Sequence, residues 1–273
     1  MDLIQEVYYE LGRLNIILKN AKKSQFLLPL IVRQGVQSLN CNGKRVDFEK
    51  MFSPNVAEKP SKEVMIIVKL IKTINDLCAK EEFNIETIKS LVLSFNKQAD
   101  VKKLESIEFA FTIDCLYEIF SCIYNQNPIS MLTTCAVVNL FFVKSKLLNF
   151  PMLDFSNALL KVGFASDKES FCNLILFAIK STISIIDRQK KLIKEDLVKA
   201  QSAGMKSVIL EYNYLIENPV VEVGSMLEEL EMTFATLSKA TAILENLGIL
   251  TKIAGSQRYR IFKYDALCEL FSN

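Results

Sequence analysis

Apolar residues recur at three- and four-residue spacing from the start of the chain to about residue 200, and the pattern changes after Gly204. Leu3, Val7, Leu11, Leu14 and Leu18 form the buried stripe of a first helix. Residues 26–39 read as a second helix, with Asn40-Cys41-Asn42-Gly43 as its polar end. Ser53-Pro54-Asn55 and Lys59-Pro60-Ser61 punctuate a loop. Ser61 or a neighbour then caps a long helix carrying Val64, Ile67, Val68, Ile71, Ile74 and Leu77. Residues 84–96 predict a shorter helix. Residues 104–124 are apolar on most faces, which predicts a central buried helix. Asn127 and Pro128 suit the cap and first position of the next helix, running to about Lys146, and Asn149-Phe150-Pro151 breaks it. A further helix over 167–200 opens with acids and closes with lysines, in keeping with the helix dipole.

Beyond Gly204 the elements shorten. Residues 205–216 and 224–230 read as helices, and 233–247 as a third that Gly248 ends. Ile249 to Ile253, a turn at 254–256 and residues 259–262 predict a β-hairpin. Three helices followed by a hairpin make a winged-helix module. The fold class expected is therefore mainly α: an all-α domain over residues 1–200 and a small α+β winged-helix domain over 205–273.

The 273 residues are 50% hydrophobic and 23% charged, with net charge +2, which excludes a disordered chain. The most apolar window, 132–143, holds Thr133, Thr134 and Asn139 and falls short of the ~20 residues of a membrane span, so no membrane association is expected. No signal peptide is visible at residues 1–20. The seven cysteines (41, 78, 115, 122, 135, 172, 268) are odd in number and lack Cys-x-x-Cys spacing, which points to reduced thiols in the cytoplasm.

The chain has no histidine. That removes Ser-His-Asp and Cys-His hydrolases and histidine-dependent zinc sites. Neither Gly-x-Gly-x-x-Gly nor Gly-x-x-x-x-Gly-Lys-Ser/Thr occurs, so no phosphate-cradling loop is evident and no metal or cofactor is expected.

A helical body, a helix–loop–helix centre, the stretch Lys146-Leu147-Leu148-Asn149-Phe150-Pro151-Met152-Leu153-Asp154-Phe155-Ser156, a long helix and a terminal winged helix together resemble the multi-domain Fic proteins. Leu11-Gly12-Arg13-Leu14 and the tail from Phe234 to Leu250 extend the resemblance over nearly the whole chain. Active members transfer AMP from ATP to protein hydroxyls through His-Pro-Phe-x-Asp/Glu-Gly-Asn-Gly-Arg-x-x-Arg. Laid on this chain, Phe120 takes the position of the catalytic histidine and Cys122 that of the anchoring phenylalanine. Tyr124 stands for the metal-binding acid, Asn125, Gln126, Asn127 and Pro128 for Gly-Asn-Gly-Arg, and Met131 for the second arginine. Phenylalanine accepts no proton, which removes a general-base contribution of about 10² to 10⁴ in rate. Tyr124 is a poor magnesium ligand, and both phosphate-binding arginines are gone.

Ser38-Leu39-Asn40-Cys41-Asn42-Gly43 resembles the family's inhibitory Ser/Thr-x-x-x-Glu-Gly/Asn helix, with Ser38 and Gly43 kept and Asn42 in place of the glutamate. The resemblance thus implies a catalytically inactive Fic-like module that binds a protein partner or itself, with no nucleotide expected. Two alternatives stand beside it. One is a DNA-binding regulator, with Thr236, Ser238 and Lys239 on the third helix of the winged module and Arg258 and Arg260, two apart in a strand, on its wing. Residues 205–273 carry six Lys/Arg against nine Asp/Glu, an unfavourable field for DNA. The other is a nucleotidyl transferase with a noncanonical loop.

Overall fold

A computed structural model describes residues 2–19, 23–40, 46, 51, 61–124, 129–254 and 260–272. The protein is mainly helical with one small antiparallel sheet near its C-terminus. Contacts divide it into two units: Met1–Val46 with Pro60–Ile183, and Asp47–Lys59 with Ser184–Asn273.

The first unit contains α1 (Leu3–Leu18), α2 (Lys23–Asn40), α3 (Lys62–Ala79), α4 (Ile85–Phe95), α5 (Ile113–Tyr124), α6 (Ile129–Lys144), α7 (Phe155–Val162) and the beginning of α8 (Lys168–Ser202). The stripe on α1 is buried as its spacing predicts, at Val7, Leu11, Leu14 and Leu18. Ser61 Oγ accepts from the Val64 N–H at 3.2 Å and Asn84 Oδ1 from the Thr87 N–H at 3.0 Å, each satisfying an orphan amide at the head of its helix. At the other end of α3 the ammonium of Lys144 donates to the carbonyls of Cys78 and Lys80, where the dipole is negative.

Two expectations change here. Residues 104–112 are not helix. A 3₁₀ turn at Lys102–Ser106 and an extended stretch precede α5, and Phe109 and Phe111 pack edge-on against Phe141. The helix buried on every side is α6 instead, hidden from Ser130 to Phe142. It touches α2, α3, α4, α5 and α7, so it has no solvent face to make polar. One further helix, α8, is long and apolar enough to cross a membrane by length and composition alone, with a window of mean hydropathy 1.4, and 61% of that window is buried inside the protein.

Polar side chains also tie the N-terminal helix down. Asn15 donates to the Leu147 carbonyl at 2.7 Å and accepts from the Asn149 N–H at 3.0 Å, fastening α1 to the turn after α6.

The second unit takes the rest of α8, then α9 (Lys206–Glu217), β1 (Val220–Glu222), α10 (Val223–Glu229), α11 (Phe234–Asn246), β2 (Thr251–Ala254), β3 (Ile261–Lys263) and α12 (Asp265–Ser272). The sheet order is β1-β3-β2, all antiparallel, with an irregularity between Lys252 and Ala254. Thr233 caps α11 by accepting from the Thr236 N–H at 3.3 Å, and Gly248 ends it at φ +70°, a conformation that favours glycine. The Tyr212 hydroxyl donates to the Ile193 carbonyl at 2.8 Å, and the Tyr264 hydroxyl to Asp196 Oδ2 at 2.7 Å. Burial pushes the Tyr212 phenol up to about 12, so both tyrosines act as neutral donors.

Candidate functional site

Phe120 lies on the inner face of α5 with Leu116, Ile119 and Ile123, and 1% of it is exposed. Its ring centroid is 4.8 Å from Phe171 on α8, 5.4 Å from Tyr124 one turn on, 5.9 Å from Phe164 and 6.1 Å from Phe155 at the head of α7. Tyr124 and Phe164 stack on each other at 5.1 Å, and interplanar angles of 15–18° make Phe120, Tyr124 and Phe164 nearly parallel. Tyr117 continues the cluster against Phe171 at 5.6 Å. Phe164 follows Gly163, whose φ of +85° lets the chain leave α7 and turn its ring toward Phe120 and Tyr124.

The position that the resemblance gives to a catalytic base is therefore packed with rings. Ser130 Oγ donates to the Tyr124 carbonyl at 3.0 Å, joining the end of α5 to the start of α6, where Met131 is buried. Cys122 is half-buried, and burial pushes its thiol up, so it gains no thiolate character. Asn125, Gln126, Asn127 and Pro128 lie outside the described residues, as do Asn42, Gly43 and Arg258. Ser38 is fully buried near the end of α2. Among the described residues no three His, Cys, Asp or Glu side chains cluster as metal ligands would, and the six cysteines are free thiols.

A polar network lies in the same unit. Arg33 and Gln34 interrupt the apolar run of α2, and both are buried. Arg33 Nε donates to Asp154 Oδ2 at 3.1 Å, and Gln34 Nε2 to the Leu153 carbonyl at 2.6 Å. Asn139, in the middle of α6, grips the same residue from the other side: its Nδ2 donates to the Leu153 carbonyl at 3.2 Å and its Oδ1 accepts from the Leu153 N–H at 2.7 Å. The Asp154 N–H donates to Thr182 Oγ1 on α8 at 2.9 Å. Burial pushes the Asp154 carboxyl up, and the Arg33 charge and hydrogen bond oppose that shift. The visible sequence signals were Arg33-Gln34 inside a buried helix and Asn139 inside the most apolar window, but nothing local linked them.

In the C-terminal module the expected wing strand is shorter than its sequence implies. Arg260 precedes β3 rather than lying within it, and Arg258 lies outside the described residues. Its Nη2 donates to Ser238 Oγ at 3.1 Å, and its guanidinium lies 5.8 Å from the Phe234 ring and 5.7 Å from Phe262. The structure thus brings Arg260 and Ser238 together as packing partners. Thr236 lies 2.9 Å from the Thr233 hydroxyl at the helix cap, and Lys239 is exposed. Lys263 pairs with Asp265 at 2.7 Å, and this attraction holds the Asp265 carboxyl below its ordinary value against the opposing effect of burial.

No protein-family model matches the chain, and no curated protein is significantly similar to it.

Proposed function

We propose that this protein is a Fic-like module without adenylyl-transfer activity, which works in the cytoplasm by binding a protein partner or a second copy of itself. The observation that carries the reading is the stack of Phe120 with Phe171, Tyr124 and Phe164. In the alignment with the Fic motif, Phe120 replaces the base and Tyr124 the metal-binding acid. Rings in van der Waals contact at both positions leave no group to accept a proton and no carboxylate to hold magnesium. The stack supports a site given over to packing.

We read the C-terminal module as a winged helix from its order of helix, strand, two helices and hairpin. Protein contact suits it better than DNA. Arg260 and Lys263, two of its cations, are engaged by Ser238 and Asp265, and acids outnumber bases across 205–273.

Calorimetry with ATP and magnesium, combined with a labelled-AMP transfer assay on protein substrates, tests the proposal. The expected result is no affinity tighter than roughly millimolar, about 4 kcal/mol, and no transferred label. Robust transfer that is abolished by substitutions within residues 120–131 overturns it.

A further inference from the structure

Glu211 of α9 has no accessible surface and faces α11, the helix that packs along it. Thr241 Oγ1 lies 2.7 Å from Glu211 Oε1 and 2.9 Å from the Leu237 carbonyl oxygen. A threonine hydroxyl has a single proton to donate. With an ionised carboxylate, both neighbours are acceptors and one of the two short contacts holds no proton. A proton on Glu211 resolves the conflict: its Oε1–H donates to Thr241 Oγ1, and the Thr241 hydroxyl donates to Leu237.

The surroundings agree with that count. Glu211 Oε2 has no hydrogen-bond partner, and no lysine or arginine ion pair reaches the carboxyl among the described residues. The groups facing it from α11 are the Thr241 hydroxyl and the half-buried carboxylate of Glu245, a like charge. A buried charge without a counter-ion is the costliest group a core can hold.

We infer that Glu211 is a protonation switch built into the α9–α11 interface, a neutral acid when the two helices are packed and a wedge between them once ionised. Burial, reinforced by the Glu245 charge, pushes its carboxyl up to about 7. The folded module holds a proton that the unfolded chain releases near 4.5. Stability is therefore highest below that value, falls as pH rises towards 7, and stays low above it. The helix that responds carries Thr236, Ser238 and Lys239, so the face α11 presents becomes sensitive to pH near neutrality.

Carboxyl-carbon NMR and amide hydrogen exchange on the full chain test the switch. One glutamate carboxyl is expected to titrate near pH 7 and to be missing from the Glu211→Gln spectrum. Exchange protection in α9 and α11, corrected for the intrinsic rate, should fall by up to about 70-fold between pH 5 and 8 in the natural chain and stay level in Glu211→Gln. A second variant, Glu245→Gln, deletes the like charge facing the carboxyl and should move the same resonance down. Glutamates that all titrate near 4.5, a resonance unmoved by Glu245→Gln, or an equal loss of protection in Glu211→Gln overturns the inference.

Discussion

Arg33 Nε and Asp154 Oδ2 meet at 3.1 Å across 121 positions of sequence, with 3% and 0% of their side chains exposed. Removing either partner deprives the other buried group of this ion pair, so Arg33→Ala or Asp154→Ala should each cost about 3–5 kcal/mol. The double variant Arg33→Met with Asp154→Leu replaces the pair with apolar side chains and should cost less than the two single changes together. Urea unfolding followed by circular dichroism reads all three. Single variants within 1 kcal/mol of the natural chain would remove the pair from the account of the core.

Phe120→Ala opens a hole among Tyr124, Phe155, Phe164 and Phe171. The expected cost is about 3–5 kcal/mol, measured by the same unfolding experiment. Phe120→His should restore no AMP transfer in a labelled-nucleotide assay, because under the proposed Fic alignment Tyr124 and Met131 replace a carboxylate and an arginine.

Arg260→Ala should destabilise the C-terminal module by about 1 kcal/mol, since it deletes the bond to Ser238 and the contacts with Phe234 and Phe262. Fluorescence anisotropy with a DNA duplex at low salt should show no binding for this variant to lose. Binding that weakens steeply with salt and drops in Arg260→Ala would favour the DNA reading instead.

Gly35 sets a close approach between α2 and α3. A Cβ there would fall 2.9 Å from Ile67 Cγ2 and 3.1 Å from Cγ1, atoms that cannot swing clear. Gly35→Ala gains roughly 0.5–1 kcal/mol of helix propensity but meets a packing penalty of about 1–3 kcal/mol. The clash should win, and a thermal melt should show a lower midpoint.

Much of the fold could be read from local signals. The stripe on α1, the caps at Ser61, Asn84 and Thr233, and the stop at Gly248 all depend on residues within one or two turns of each other. What escaped depends on distance or brevity. β1 is three residues long and exists because Val220 to Glu222 pair with Ile261 to Lys263. The short helices α7 and α12 were also missed; α7 has no side-chain cap to announce it. Apolar residues at 107–112 imitated a helix because Phe109 and Phe111 are drawn to Phe141 rather than to a helical stripe. The resemblance singled out Phe120 without its surroundings: apart from Tyr124 one turn on, the rings packed against it come from α7, α8 and their connection, 35 to 51 positions away. Arg33, Gln34 and Asn139 looked like interruptions until the 153–154 backbone that they hold was in view.

Asn15 also bears on how the chain is made. The backbone it grips, at Leu147 and Asn149, lies 132 and 134 residues downstream. At ribosomal speeds those partners emerge on the order of ten seconds later. A lone helix of 16 residues is marginal in water, so nascent α1 spends that interval without the fastening that Asn15 makes. Helix α1 is thus made well before the turn that fastens it, and over that interval its apolar stripe is a foothold for a holding chaperone.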